Sequence, residues 1–373
     1  MLAPVAQVPI LPRIGYAAVS YFVYLQKMFY PTDLAVIYPF PQNGLPLPEI
    51  ILALVLLAGI STAVLALRRR HPYLMVGWFW YLGVLVPMIG IIHTGSVARA
   101  DRFTYLAQIG AYIMLAWAVK DLTASWRHGR RMLGAGAFSV IAALMLCAWK
   151  QSSYWRNSQT LWTHTLACTK DNAFAYNDFG GALLANGQID DAIENFQKAL
   201  QINPNYAEVY HNLGDAFIQK GNRGEAIAQY QKALTIDSRD ERSHVNLGIV
   251  LYQSGQINEA VDHYQKALEI DPTDTKTHNN FGLALAQLGR MDEAIAQYED
   301  ALTVDPQNLE AHFNLGNAFV QAGQFAKAIE HYKKALELNP DDAEVYNNLG
   351  LAFYQSGNKS EATASAQKAL QLA

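Results

Sequence analysis

The chain has 373 residues and a formal net charge of −4, but that charge is unevenly divided: residues 1–150 carry 12 Lys and Arg against 4 Asp and Glu, whereas residues 151–373 carry 16 against 28. A basic, apolar, aromatic part followed by an acidic, polar part is the composition of a membrane segment joined to a soluble domain. The basic residues sit in short loops between apolar runs, which excludes the continuous basic face of a nucleic-acid binder; two cysteines, Cys147 and Cys168, without Cys-x-x-Cys spacing exclude a disulfide framework and a cysteine zinc site.

Residues 1–13 lack a basic start and hold Pro4, Pro9 and Pro12, so they do not read as a secretory signal. The chain is therefore expected to begin partway into a larger membrane domain. Apolar runs place spanning helices at about 14–30, 50–67, 73–92, 103–119 and 132–149, each near the length needed to cross a hydrocarbon core of roughly 30 Å. The first is interrupted by Gln26 and Lys27 and is read as either spanning or interfacial. In the last, "GAGAFS" (134–139) supplies small residues suited to close helix contact in lipid. With no strand before it and no Lys-Ser/Thr after it, it is not a phosphate loop.

Loop charges set the expected orientation. Arg68, Arg69 and Arg70 follow one run, and Lys120, Arg127, Arg130 and Arg131 precede another. The positive-inside bias makes both loops cytoplasmic. Alternation then puts the loops at 31–49 and 93–102, and everything after Trp149, on the periplasmic or lumenal side of a bacterial inner membrane or its equivalent. The stretch "ARADRFTY" (98–105) consequently holds Arg99 and Arg102 where that bias does not favour arginine. Two explanations stand open: a solvated loop with an Asp101–Arg102 pair and a snorkelling Arg99, or an anion site in which guanidinium forks meet the phosphate of a membrane lipid or a sugar donor. His93 and Tyr105 are close enough in sequence to join it.

Residues 151–172 read as a linker with a half repeat, in which Trp162 stands 34 residues before Phe196. From Ala173 the chain repeats every 34 residues. Gly180, Gly214, Gly248, Gly282, Gly316 and Gly350 keep the step, as do Ala192, Ala226, Ala260, Ala294, Ala328 and Ala362, and the aromatics Phe196, Tyr230, Tyr264, Tyr298 and Tyr332. Prolines close most second helices at Pro204, Pro272, Pro306 and Pro340; Ser238 replaces one, and is expected to loosen that turn. Small residues would let paired helices approach, with the aromatic filling the gap between neighbouring repeats. This is the tetratricopeptide pattern, giving six repeats at 173–206, 207–240, 241–274, 275–308, 309–342 and 343–373. In the sixth, Ala366 stands where the aromatic is expected, which suits a solenoid end. The fold expected is all-α: multi-pass transmembrane helices followed by a right-handed tetratricopeptide-repeat superhelix.

The first helix of each pair should line the concave face. Asn212, Asn246, Asn280, Asn314 and Asn348 recur there, with Asp178 in the first repeat, and Gln219, Gln253, Gln287, Gln321 and Gln355 follow two turns later on the same face. A carboxamide donates and accepts, so such a row suits the backbone of an extended peptide or of a partner protein. His244, His278 and His312 lie on successive helix pairs ~10 Å apart, too far to share one metal with ~2 Å bonds, and read as packing residues. No metal site and no cofactor is evident. No HExxH, GxSxG or phosphate-loop motif is present, and the acidic residues fall as Glu–Lys neighbours on solvated helix faces.

The ordered runs "YLQKMFYPTDLAVIYPFP" (24–41), "GWFWYLGVLVPMIGI" (77–91), "ADRFTYLAQIG" (100–110) and "YWRNSQTLW" (154–162), leading into the repeats, resemble the transmembrane and tetratricopeptide-repeat O-mannosyltransferase-like glycosyltransferases. The resemblance implies a membrane enzyme that passes a sugar from a polyprenyl-phosphate donor to a protein hydroxyl on the non-cytoplasmic side. It matches Asp101, Arg102 and Tyr105 to the family's loop beside the membrane, and Lys27, Pro31 and Tyr38 to an earlier loop. It also implies a catalytic acid in a first outer loop upstream of the matched region, for which Asp33 and Glu49 are poor substitutes, so the chain corresponds to the C-terminal part of such a protein. The competing expectation is a non-enzymatic, membrane-tethered scaffold for protein complexes.

Overall fold

The computed structural model describes residues 10–29, 34–35, 38, 44–86, 104–126 and 129–372, and the chain divides into two compact units, Met1–Val209 and Tyr210–Ala373. The described elements are α-helices. In the first unit they are α1 (Ile10–Phe29), α2 (Leu47–Leu67), α3 (Pro72–Leu85), α4 (Thr104–Leu122), α5 (Gly129–Tyr154), α6 (Ser158–Cys168), α7 (Ala173–Ala185) and α8 (Ile189–Ile202).

Among the described residues, α2 with 21 residues and the stretch Met132–Tyr154 of α5 with 23 are long and apolar enough to cross a membrane. The third expected span is described as the 14-residue α3 and Val86 after it, and residues 87–92 lie outside the described residues. Pro at its first position and His71 before it fix where α3 begins. Aromatic residues hold α1, α2 and α3 together: Tyr21 Oη donates to the Leu82 carbonyl at 2.8 Å, Tyr81 Oη to the Tyr21 carbonyl at 2.5 Å, and Trp78 Nε1 to Ser61 Oγ at 2.9 Å. These bonds satisfy the polar ends of rings whose bodies are buried, a requirement where water is scarce.

The small-residue contact is found elsewhere than in "GAGAFS". A Cβ on Gly134 or Gly136 would meet nothing within 4 Å, whereas one on Gly77 would come within 2.4 Å of the Gly110 carbonyl oxygen and one on Gly110 equally close to that of Gly77. It is α3 and α4 that cross backbone to backbone. At one end of this pair His71 Nδ1 lies 3.0 Å from Asp121 Oδ2, and Tyr73 Oη donates to the same oxygen at 2.9 Å. The turn Arg68–Arg70 and Lys120 therefore lie at the same end of the bundle.

After α5, Asn157 forms a capping box with Thr160 to start α6, whose Trp162 meets Phe174 of α7 edge-on at 6.0 Å.

α7 and α8 form a helix pair, and the helices that follow pair likewise: α9 (Ala207–Gln219) with α10 (Arg223–Ile236), α11 (Glu241–Gln253) with α12 (Ile257–Ile270), α13 (Thr275–Gln287) with α14 (Met291–Val304), α15 (Leu309–Gln321) with α16 (Phe325–Leu338), and α17 (Ala343–Gln355) with α18 (Lys359–Leu372). Each pair turns on a glycine with positive φ, from Gly187 at 76° through Gly221, Gly255, Gly289 and Gly323 to Gly357 at 89°. A side chain there would be strained, so a second glycine series at the same 34-residue step sets the turn.

The aromatic series does not simply fill the gap between repeats. A Cβ on Gly214, Gly248, Gly282 or Gly316 would meet the ring of Tyr230, Tyr264, Tyr298 or Tyr332 at 2.4–2.7 Å, so each ring seats on the glycine of its own repeat and locks that pair. Tyr264 also reaches Phe281 of the following repeat, at 6.5 Å between centroids. Burial of each ring contributes about 2 kcal/mol. At the Ser238 turn the contact of the proline turns is kept: its carbonyl faces His244 Nε2 at 3.2 Å, as the carbonyls of Pro272 and Pro306 face His278 and His312 at 3.1 Å.

Candidate functional site

In the second unit the first helices of successive repeats touch: α11 meets α13, α13 meets α15 and α15 meets α17. That line of helices carries the asparagine series. Asn246, Asn280 and Asn348 are half-buried, Asn314 is 7 % exposed, and Gln219, Gln253, Gln287, Gln321 and Gln355 are exposed. The glutamines reach solvent because they end the helices; the asparagines sit midway, where the neighbouring repeat covers them.

The four asparagines on these helices differ in their surroundings. Asn246 Nδ2 donates to Asp215 Oδ1 at 2.9 Å, and Asn348 Nδ2 to Asn317 Oδ1 at 3.0 Å. Each donor stands 31 residues after its acceptor, so the bond joins neighbouring repeats. The acceptors are held from above as well, by Tyr230 Oη at 2.5 Å and Tyr332 Oη at 2.6 Å. His211 Nε2 lies 3.3 Å from Asp215 Oδ2. Burial alone would raise the Asp215 pKa, but the hydrogen bonds and charge of His211, with the bonds from Tyr230 and Asn246, hold it below the usual carboxylate range. The phenol of Tyr230 is pushed up by burial and by that carboxylate. In the first unit, Asp178 occupies the asparagine position of repeat 1; burial and then Glu208 raise its carboxyl to about 6, against the hydrogen bond from Asn177.

The histidines expected to be packing residues are buried, and each has a partner 19 residues on, in the second helix. His244 Nδ1 lies 2.9 Å from His263 Nδ1, His312 Nδ1 3.0 Å from His331 Nδ1, and His278 Nδ1 2.9 Å from Gln297 Oε1. Donation from Nε2 to the turn carbonyl leaves Nδ1 of His244 and His312 as acceptors, and assigns the Nδ1 proton to His263 and His331. Burial and the neighbouring imidazole push His263 and His331 down to about 4. Sequence reasoning missed these second-helix partners, although the 19-residue spacing was available to it. Among the described residues, no group of three or more His, Cys, Asp or Glu side chains could hold a metal ion.

Arg99, Asp101 and Arg102 lie outside the described residues, and Tyr105 falls in the first turn of α4. Of the earlier loop, Lys27 Nζ lies 5.7 Å from the Tyr38 ring centroid, a cation–π distance, while Pro31 is outside the described residues.

Comparison with known proteins bears mainly on the repeats. The sequence profile described as "TPR repeat" matches residues 180–221, 214–255, 250–289, 282–323 and 316–357, and the one described as "Tetratricopeptide repeat" matches 343–373. The chain is 25 % identical over 125 residues to a protein O-mannosyl-transferase of Caenorhabditis elegans, a match covering 33 % of this chain and spanning only 17 % of that protein's length. Among solved structures it is similar to YrrB, described as a TPR protein with an unusual peptide-binding site (27 % identity, 52 % of this chain and 97 % of that one, TM-score 0.45). It is similar also to MamA (28 %, 43 % and 94 %, 0.42) and to PilF of Pseudomonas aeruginosa (21 %, 54 % and 92 %, 0.48). Profile matches from 180 to 373, over helix pairs at one 34-residue step, make that part of the chain a tetratricopeptide-repeat array.

Proposed function

We propose that this chain is a membrane-anchored protein that holds an extended segment of a partner or acceptor protein along the first-helix face of its repeats, on the non-cytoplasmic side. The observation that carries the reading is the asparagine series, in which Asn280 has no hydrogen-bond partner among the described residues and Asn314 Nδ2 is buried without one. Carboxamides in that state can take peptide N–H and C=O groups without regard to side chains. The apolar helices α2 and α5 supply the anchor, and the clustering of Arg68–Arg70 with Lys120 at one end of the bundle supports placing that end in the cytoplasm. Replacing Asn246, Asn280 and Asn314 together by alanine should weaken capture of partner proteins by the full chain while leaving its helicity unchanged; equal capture by the variant would sink the reading.

A second reading places this array within a protein O-glycosyltransferase that uses a polyprenyl-phosphate-linked sugar. The partial match to the C. elegans O-mannosyl-transferase favours it. Arg99, Asp101, Arg102 and Tyr105 would contact the donor's phosphate, and the repeats would present the acceptor hydroxyl. Transfer from a polyprenyl-phosphate sugar that survives Arg102→Ala would remove that residue from the site. Absence of transfer, with partner capture intact, would leave the tethered scaffold.

A further inference from the structure

Three residues past each asparagine of the series the chain carries Asp215, Ile249, Leu283, Asn317 and Leu351. A polar residue there closes a local network, as Asp215 does with Tyr230 and Asn246 and Asn317 does with Tyr332 and Asn348. Ile249 and Leu283 cannot. Among the described residues, the hydroxyls of Tyr264 and Tyr298 and the carboxamide of Asn280 consequently have no hydrogen bond, and Asn314 Nδ2 is buried without an acceptor. Four polar groups left unmatched around two half-buried aliphatic side chains are flanked on both sides by repeats where the same positions are saturated. A buried donor without an acceptor costs stability, and an incoming peptide carbonyl relieves that cost once the amide turns to meet it.

Charge changes at the same place. One turn before each asparagine stand Arg242, Lys276, Glu310 and Glu344 in repeats 3 to 6. Two exposed cations thus precede the open segment in an otherwise acidic array, and Lys276 has no ion pair among the described residues. Repeats ~10 Å apart, against ~3.3 Å per residue of an extended chain, bring successive carboxamides to every third peptide residue. Between two such contacts the peptide can turn one side chain towards Ile249 and Leu283.

We infer that the occupied part of the face is repeats 3 to 5, residues 241–342, and that it selects an extended peptide bearing an aliphatic side chain within three residues of a carboxylate. The inference rests on the peptide-holding reading above. Its test is to pan a random twelve-residue phage-displayed library on the full chain in detergent micelles, then measure selected peptides by fluorescence anisotropy. Selected sequences should pair Asp or Glu with Leu, Ile or Val at that spacing. Ile249→Asn with Leu283→Asn installs the saturating residue of repeat 5 and should weaken binding at least tenfold. Arg242→Glu with Lys276→Glu copies the charge of repeats 5 and 6 and should shift the selected charge to Lys or Arg. Both pairs use residues the array already tolerates at those positions, and helicity checks their folding. Peptides indifferent to both pairs, but lost on Asn348→Ala, would overturn the central assignment and leave the peptide-holding reading standing. No enrichment over background would overturn both.

Discussion

The paired histidines should make the array sensitive to mild acid, and the sequence supplies its own control. His263 and His331 titrate near 4 in the fold against about 6.5 in an unfolded chain. A depressed histidine leaves the unfolded state binding more protons, so stability is complete above about 6.5 and is lost as pH falls towards 4. At pH 5 that gap is worth about 2 kcal/mol per ring, reduced to about 1 kcal/mol because the ring edges reach solvent, or about 2 kcal/mol for the two pairs. The groups around the rings do not reverse the sign: Lys266 acts with His244 on His263, and Lys334 and Lys327 with His312 on His331, while Asp262 and Glu330 only oppose them.

Repeat 4 places Gln297 at the same position against His278. The perturbation is therefore His263→Gln with His331→Gln, which repeats a contact the array already makes. Thermal unfolding of the full chain in detergent, followed by ellipticity at pH 7.5 and pH 5.0, should show the variant keeping about 4–8 °C more of its midpoint at pH 5.0 than the parent. Equal losses in the two proteins would refute the lowered proton affinity of His263 and His331 in the fold.

Two further substitutions test local packing and charge. Gly282→Ala drives a Cβ to 2.4 Å from the Tyr298 ring and should cost about 1–3 kcal/mol in denaturant unfolding, whereas Gly350→Ala, whose nearest neighbour is the Ala362 carbonyl at 3.3 Å, should cost less than about 1 kcal/mol. Asp178→Asn should stabilise: a carboxyl raised to about 6 disfavours the fold as pH climbs through 4 to 6, so the variant should gain about 1 kcal/mol at pH 7.5 and nothing near pH 4, read from melting midpoints at the two pH values.

The helix pairs, their step and the glycine and aromatic series were legible because one spacing repeats and each copy reinforces the others, but that each ring seats on the glycine of its own repeat was not. Less legible was anything that joins residues at other separations. The asparagines look alike, yet Asn246 is set by Asp215 and Asn348 by Asn317, each 31 residues back, a separation at which reading one repeat on top of another hides the partner. His263 and His331 lie on second helices, where the aromatic and alanine series are the positions that repeat. The N-terminal part was legible as apolar length alone, which finds α2 and α5 but cannot say that Gly77 and Gly110, not Gly134 and Gly136, bring helices together. That choice depends on which helix faces another, and a run of apolar residues without polar alternation carries no such face.

The difference among the asparagines is open to a direct measurement that needs no ligand. Asn246→Ala removes a donor from the Asp215 carboxylate, and Asn348→Ala one from the Asn317 amide; each leaves a half-buried acceptor short of a partner and should cost about 1 kcal/mol. Asn280→Ala breaks no bond and should be neutral. Asn314→Ala deletes a buried donor that has no acceptor, so it should be neutral or stabilising by up to about 1 kcal/mol. Denaturant midpoints for the four single variants should therefore fall into two pairs, with repeats 4 and 5 tolerant and repeats 3 and 6 sensitive. Four equal losses would mean that every asparagine is structural, and the face would then have no unengaged carboxamide to offer a peptide. A split in the expected order would show that the two groups best suited to bind are those the fold can do without, as expected of residues kept for a partner and not for packing.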